Sequence, residues 1–294
     1  MIDISLLGAG YWGSKISEQL KQIEDVGEIE IVDIKDGKTI DDIRFNNVIV
    51  ATPAWEHYDQ TIKLLDRGKN LYVEKPLAST YAECVEIAKH IKDQTLMVGH
   101  IFLYNDRLHK IKEIIDSGTI GEIKYIESNR LNWGRFQKKI STLLSLAPHD
   151  ISIVAYILGG YELIDPHYKG VRITEYPQTD IDTYQFQYRG VDVKFNLSWY
   201  YPEKIRTMVF VGDKGMISWD EEKKTIKVIT DVWENNWMNY EPTTEILNVA
   251  SNPLQNELRD FIDCIKNKQQ PISDINCALN VAKNLDILSK SLIQ

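Results

Sequence analysis

The chain has 294 residues, with 34 Lys and Arg against 43 Asp and Glu, a formal net charge of −9. That acidic balance lacks the basic footprint of a nucleic-acid or anionic-membrane binder, and no stretch approaches the ~20 apolar residues of a membrane span. At this length and 43% hydrophobic content, the chain can bury a large core in about two domains, which excludes global disorder.

The first 120 residues alternate short β-rich runs with helical patterns, the order that a parallel sheet with crossover helices requires. Ile4-Ser5-Leu6-Leu7 is the first strand, and Gly8-Ala9-Gly10-Tyr11-Trp12-Gly13 follows it and opens a helix over 15–23. In that setting Gly8 permits a tight turn, Gly10 lets backbone approach a pyrophosphate, and Gly13 brings the helix close to the sheet. The helix-terminal N–H groups, flanked by Tyr11 and Trp12, then face phosphate charge. The alternative is a glycine-rich turn with no ligand.

The second strand, Ile29-Glu30-Ile31-Val32, runs into Asp33, where a carboxylate can accept hydrogen bonds from adenosine ribose hydroxyls and repel a 2'-phosphate. NAD(H) is therefore favoured, while nearby Lys35 keeps NADP(H) open. The segment from Ile34 to Asn47 has room for one short helical turn around Ile40 to Ile43 before the third strand, Val48-Ile49-Val50. Ala51-Thr52-Pro53 follows that strand, and Glu74-Lys75-Pro76 follows Leu71-Tyr72-Val73. Ligands bind at such carboxyl ends of parallel strands. A lysine there, at Lys75, can orient a hydroxyl or carbonyl or help move its proton, the alternative being a surface lysine before a turn. Helical patterns over 57–67 and 81–91 and a strand at Leu96-Met97-Val98 complete this half.

From about Ile123 the pattern becomes antiparallel: Tyr184, Phe186 and Tyr188, then Val191, Val193, Phe195, Leu197 and Trp199, alternate with polar neighbours. Met208 to Val211, the turn Gly212-Asp213-Lys214-Gly215 and Met216 to Trp219 continue a meander whose second apolar face needs helices or another subunit as cover, so a homo-oligomer is expected. Ala147-Pro148-His149-Asp150 precedes an apolar helix pattern at Ile151, Val154, Ala155 and Leu158. His149 there can act as a general base, or it can cap and pack the helix. Asn252 and Pro253 open a C-terminal helix as N-cap and first residue, and Asp274 caps the last one. The remaining histidines show no zinc spacing, and Cys84, Cys264 and Cys277 are odd in number, widely spaced and without a CxxC pair. We therefore expect neither a metal nor a disulfide.

Taken in order, Gly8 to Gly13, Ala51-Thr52-Pro53 with His57, Glu74-Lys75-Pro76, Val98-Gly99-His100, Gly118-Thr119-Ile120-Gly121, Ala147-Pro148-His149-Asp150, Val211 to Gly215 and Asn252 to Glu257 resemble the Gfo/Idh/MocA oxidoreductase family. Gly-Tyr-Trp-Gly with Ala-Pro-His-Asp-Ile is similar to its nucleotide-sugar branch, the UDP-N-acetylglucosaminuronate 3-dehydrogenase-like proteins. The resemblance implies an α/β chain: a Rossmann dinucleotide-binding domain over 1–120, here with a shortened segment after Asp33, and a substrate and oligomerisation domain over 121–294 with a largely antiparallel open sheet. The C-terminal helix is free to pack back on the first domain.

The resemblance further implies hydride transfer at a sugar carbon, Lys75 near that carbon before a cis Pro76, and His149 as the acid/base. Gly8, Gly10, Tyr11, Trp12, Gly13, Asp33, Thr52, Pro53, His57 and Glu74 are expected to hold the cofactor, and Tyr104, Asn105, Arg130 and Ser145 the substrate. Many members carry an Asp four residues before the catalytic His, and Ser145 stands there instead. The expected protein is a cytoplasmic homodimer or homotetramer that oxidises or reduces a sugar or nucleotide-sugar with NAD(H). The alternatives are a ketosugar reductase of deoxysugar biosynthesis and a catalytically silent NAD- or sugar-nucleotide-binding protein.

Overall fold

Short apolar runs bounded by turn residues form a parallel sheet when both faces can be covered by helices. Five such runs do so here in a computed structural model that describes residues 1–134, 140–230 and 243–291. They are β1 (Ile2–Leu7), β2 (Val26–Val32), β3 (Asn47–Val50), β4 (Asn70–Glu74) and β5 (Leu96–Gly99), hydrogen-bonded in the order β2-β1-β3-β4-β5. All four pairings are parallel. The apolar residues of the three inner strands are buried, apart from Ile2 at the start of β1, as expected of strands covered on both faces. The helices of this half are α1 (Tyr11–Leu20), α2 (His57–Asp66) and α3 (Tyr81–His90).

The shortened link between β2 and β3 holds two 3-10 turns, Ile34–Asp36 and Ile40–Asp42, one more than its length implied. Thr39 and Asp42 cap the second turn reciprocally, and the guanidinium of Arg67 reaches the Ile40 carbonyl at 3.0 Å and pairs with Asp41. The link is thus a stapled loop.

The chain divides into two compact units, Met1–Asn105 with Asn252–Lys283, and Asp106–Ser251 with Asn284–Gln294. The first therefore includes the helix α6 (Pro253–Asn267), which packs on α1 and on a 3-10 turn at Ile101–Tyr104. Asn252 is the N-cap and Pro253 the first residue of α6, but the Asn252 amide donates to Gln19 Oε1 at 3.0 Å instead of capping the helix. Asp274 does cap, accepting the Cys277 N–H at 2.9 Å ahead of the last helix, α7 (Ile275–Lys290).

The second unit starts with α4 (Asp106–Asp116), β6 (Ile123–Trp133) and α5 (Thr142–Leu158). Seven further strands follow: β7 (Ile164–Val171), β8 (Ile181–Tyr188), β9 (Val191–Ser198), β10 (Tyr200–Gly212), β11 (Gly215–Asp220), β12 (Thr225–Thr230) and β13 (Thr243–Leu247). With β6 they make an eight-stranded sheet in the order β13-β12-β11-β10-β6-β9-β8-β7, antiparallel except where β6 meets β9. The β10–β11 turn fits against the Gly118–Gly121 segment: Asp213 Oδ1 accepts the Glu122 N–H at 2.9 Å, and a Cβ on Gly212 would lie 1.9 Å from the Ile120 carbonyl oxygen. Two motifs distant in sequence thus form one structural node.

For part of this sheet, the cover left open between helices and another subunit is a helix. The alternating apolar residues of β8 and β9, from Tyr184 to Trp199, are buried within the chain, because α5 packs on both strands. Their apolar face already has its cover and gives no argument for a second subunit.

Candidate active site

The turn after β1 explains its three glycines by different means. Gly8 has φ +96°, and a Cβ there would lie 2.7 Å from the Ala51 carbonyl oxygen; on Gly13 it would lie 2.1 Å from the Gly8 carbonyl oxygen. Both positions therefore exclude side chains for reasons of folding. Gly10 differs: it is the N-cap of α1, no side chain caps the helix, and nothing stands within 4 Å of its notional Cβ. The uncapped donors of the first helical turn and this open approach form a cradle for an anion.

The cradle opens into a cleft of about 810 Å³ in the first unit, lined by Gly8, Gly10, Tyr11, Trp12, Asp33 and Pro53 among others. It lies at the carboxyl ends of β1, β2 and β3, where the chain switches direction across the sheet. Asp33 accepts the Ala9 N–H at 2.6 Å and the Lys35 N–H at 2.9 Å. These amides hold its carboxyl below the usual range, so an anion stands at the edge of the cleft. Volume, open glycine, uncapped donors and strand-end carboxylate suit a dinucleotide: the loop for its pyrophosphate, Asp33 for a ribose.

Thr52 also lines the cleft, and His57 stands behind it. The His57 ring is buried, with Nδ1 at 2.7 Å from the Pro76 carbonyl oxygen and Nε2 at 2.9 Å from that of Thr52. The ring brackets the two strand-end loops, and burial lowers its pKa. Thr52 Oγ1 donates to Gln60 Oε1 at 2.6 Å. His57, expected to touch the cofactor, is thus placed to hold the loops that would.

The Lys75–Pro76 peptide bond is cis, as the resemblance implies. The charge of Lys75 acts on Glu74, His57 and His100. Glu74 turns inward, accepting from Trp12 Nε1 and, at 2.9 Å, from the Tyr72 hydroxyl. It therefore supports the glycine-rich loop through Trp12. His100 is 3% exposed, and burial with the Lys75 charge pushes its pKa down to about 3.

Two of the expected substrate contacts have partners within the protein. The Tyr104 hydroxyl lies 3.0 Å from Asp260 Oδ2 and 3.1 Å from Ser273 Oγ, inside the first unit, and burial raises its pKa. Arg130 is buried in the second unit, where its guanidinium grips Asp150 through Nε and Nη2 at 2.7 to 3.1 Å. Its role is to tie α5 to β6. Asn105 is buried at the end of the first unit's 3-10 turn.

The helix start is corrected. α5 begins at Thr142, with the Ser141 hydroxyl accepting the Leu144 N–H at 3.2 Å, so His149 lies mid-helix, directly after Pro148. Burial of Leu143, Leu146 and Ala147 carries the helix through a proline that alone would end it. Ser145 sits one turn before His149 on the same side of α5. Thr142 donates to Asp182 and Ser141 is the cap, so neither takes the place of the missing carboxylate.

Glu257, Tyr72 and Asp150 are not among the expected site residues, although Asp150 and Glu257 lie in motifs that carry the resemblance. Glu257 carried a signal: it falls three residues after Leu254 and four before Phe261, on the apolar stripe of α6, where an ionised side chain does not belong.

Residues 14–102 match the model of an oxidoreductase family with an NAD-binding Rossmann fold, and residues 108–218 match the GFO/IDH/MocA C-terminal domain. The chain belongs to the Gfo/Idh/MocA family. Among relatives, an uncharacterised oxidoreductase of Streptococcus pneumoniae is 28% identical over 188 residues, 54% of this chain and 51% of its own. A 2,7-anhydro-N-acetylneuraminate hydratase of Mediterraneibacter gnavus is 25% identical over 188 residues, 54% of this chain and 50% of its own. The chain thus spans about half the length of these Gfo/Idh/MocA relatives. The UDP-N-acetylglucosamine 3-dehydrogenase GnnA of Acidithiobacillus ferrooxidans superposes with a TM-score of 0.85 over 99% of this chain and 97% of its own, at 17% identity, a likeness of fold.

Proposed function

We propose that the chain is an NAD(H)-dependent oxidoreductase that moves a hydride to or from a hydroxyl or ketone carbon of a sugar or nucleotide-sugar. The observation that carries the reading is the cleft beside Gly10, with uncapped helix donors at one side and the Asp33 carboxylate at another. The first unit is the cofactor-binding body and the second the substrate-binding one. Asp33 favours NAD(H) over NADP(H) by repelling a 2'-phosphate. The family and the name of its structural likeness GnnA support a sugar-nucleotide substrate.

Bound nicotinamide supplies the acceptor or donor of hydride. In the oxidative direction His149 takes the hydroxyl proton, and Lys75 holds the oxygen and stabilises its developing negative charge. Ser145, one turn before His149, offers a hydroxyl to a sugar and no charge to the imidazole, so His149 works without a carboxylate from that position. Cytoplasmic location and a homodimeric or homotetrameric state complete the proposal. Light scattering at micromolar protein should report more than the mass of one chain, and a single-chain mass contradicts the oligomer.

The test is turnover with a panel of hydroxy and keto sugar nucleotides. Lys75→Ala and His149→Ala should each lower kcat by at least about 100-fold while NADH binding persists. Unchanged turnover in both variants refutes the assigned roles. The hydratase named among the relatives favours a second reading, a reaction on a sugar without net oxidation. Sugar conversion with no accumulation of NADH absorbance selects that reading; stoichiometric NADH selects the first.

A further inference from the structure

Beneath Lys75 lies a buried polar chain with fewer protons than its hydrogen bonds need. The Tyr72 hydroxyl is 2.9 Å from Glu74 Oε1 and 3.0 Å from Glu257 Oε2, and Glu74 Oε1 also accepts from Trp12 Nε1. One hydroxyl proton cannot serve two carboxylates, so a carboxyl group must supply the second. The two carboxyls are not equal. Burial raises the pKa of Glu74 as well, but the Trp12 N–H, the Tyr72 hydroxyl and the positive charge of Lys75 oppose that rise and favour its anion. Glu257 is fully buried, and its Oε1 has no hydrogen-bond partner among the described residues.

The groups facing Glu257 are Tyr72 and Glu74 from β4, Asp260 from its own helix, and Tyr104 from the 3-10 turn. Burial raises the Glu257 pKa well above the carboxylate range, and the acidic neighbours Glu74 and Asp260 add to that effect. The fold makes room for the arrangement. A Cβ on Gly99 would lie 2.8 Å from the Tyr72 hydroxyl and 3.1 Å from Glu74 Oε2, and Phe261 packs edge-on against the Tyr72 ring at 6.0 Å.

We propose that Glu257 carries a proton at neutral pH and donates it in a hydrogen bond to Tyr72, which donates to Glu74, leaving Glu74 as the anion that receives Trp12 and stands beside Lys75. Glu257 is then a positioning residue: from α6 it fixes the side chain of the cofactor loop and the charge next to Lys75. Only that consequence rests on the cofactor reading; the protonation itself does not.

Infrared spectroscopy of the purified full chain tests it. Wild-type protein near pH 7.5 should show a protonated-carboxyl C=O band, shifted in D2O, that disappears in Glu257→Gln and persists in Glu74→Gln. Tyr72→Phe should move the band to higher wavenumber, because the acid loses its acceptor. Glu257→Gln, a neutral isostere with its own N–H donors, should keep NADH affinity within about twofold, and Glu257→Leu should weaken it about tenfold. A wild-type spectrum without the band, or a band lost in Glu74→Gln and kept in Glu257→Gln, overturns the proposal. The band together with no NADH binding leaves the proton on Glu257 and refutes the cofactor reading instead.

Discussion

The buried histidines of the first unit give it a pH dependence of definite sign. His100 stays neutral in the folded chain, its pKa held near 3 by burial and Lys75, whereas in the unfolded chain it takes up a proton near pH 6.5. The folded pKa lies below the unfolded one, so the contribution to stability is complete above about pH 6.5. It is lost as pH falls toward about 3, at up to about 1.4 kcal/mol per pH unit. His57, also lowered by burial, acts in the same direction. His100→Asn should therefore flatten the decline of urea-unfolding stability between about pH 6.5 and about pH 4.5 without abolishing it; a curve parallel to wild type contradicts a neutral His100. At this scale the places of the glycines, Asp33 and the Lys75 motif at strand ends were legible because their spacing from the apolar runs encodes it. The partners of Tyr104 and Arg130, Asp260 and Asp150, were not legible, because a polar side chain in a motif looks alike whether it meets a ligand or a buried partner.

Elements separate residues needed for folding from those that leave space for a ligand. Gly13→Ala would drive a methyl into the Gly8 carbonyl and pry α1 from β1, costing about 1–3 kcal/mol and several degrees of Tm. Gly10→Ala meets nothing, so its Tm should match wild type while NADH affinity falls at least tenfold. Calorimetric Tm and NADH titration of both variants check the contrast, and a Gly10→Ala protein that binds NADH normally contradicts the cradle. In the second unit, Arg130→Met strands the fully buried Asp150 and should cost about 3–5 kcal/mol, with much of it regained in Arg130→Met/Asp150→Leu. Equal stability of the single and double variants in urea would show that the pair does not anchor α5. Hydrophobic periodicity made the five parallel strands, β8, β9, β11, the end of β10 and most helices legible, but not β6, β7, β12, β13 or α4. It missed the start of α5, because Pro148 gives a strong local stop signal that tertiary burial of Leu143 and Leu146 outweighs.

At the scale of the whole molecule, the sequence divides where its period changes, whereas the first compact unit also takes Asn252–Lys283 from the far end of the chain. Amphipathic spacing identifies α6 as a helix with one apolar face but does not say which sheet it serves. That partner is settled by long-range contacts, among them Glu257 with Tyr72 and Asn252 with Gln19. The same limit explains the apolar face of β8 and β9: alternation shows that a face needs a cover, and only the fold shows that α5 provides it. A ligand that binds the folded first unit should stabilise it by about 2.7 kcal/mol at 100 times its Kd. Isothermal titration of cofactor-free protein with NADH and then NADPH, alongside Gly10→Ala, tests this most directly. Tight NADH binding, weaker NADPH binding and at least a tenfold loss in Gly10→Ala are predicted; binding of neither nucleotide, or equal binding to both proteins, contradicts a dinucleotide site at this cleft.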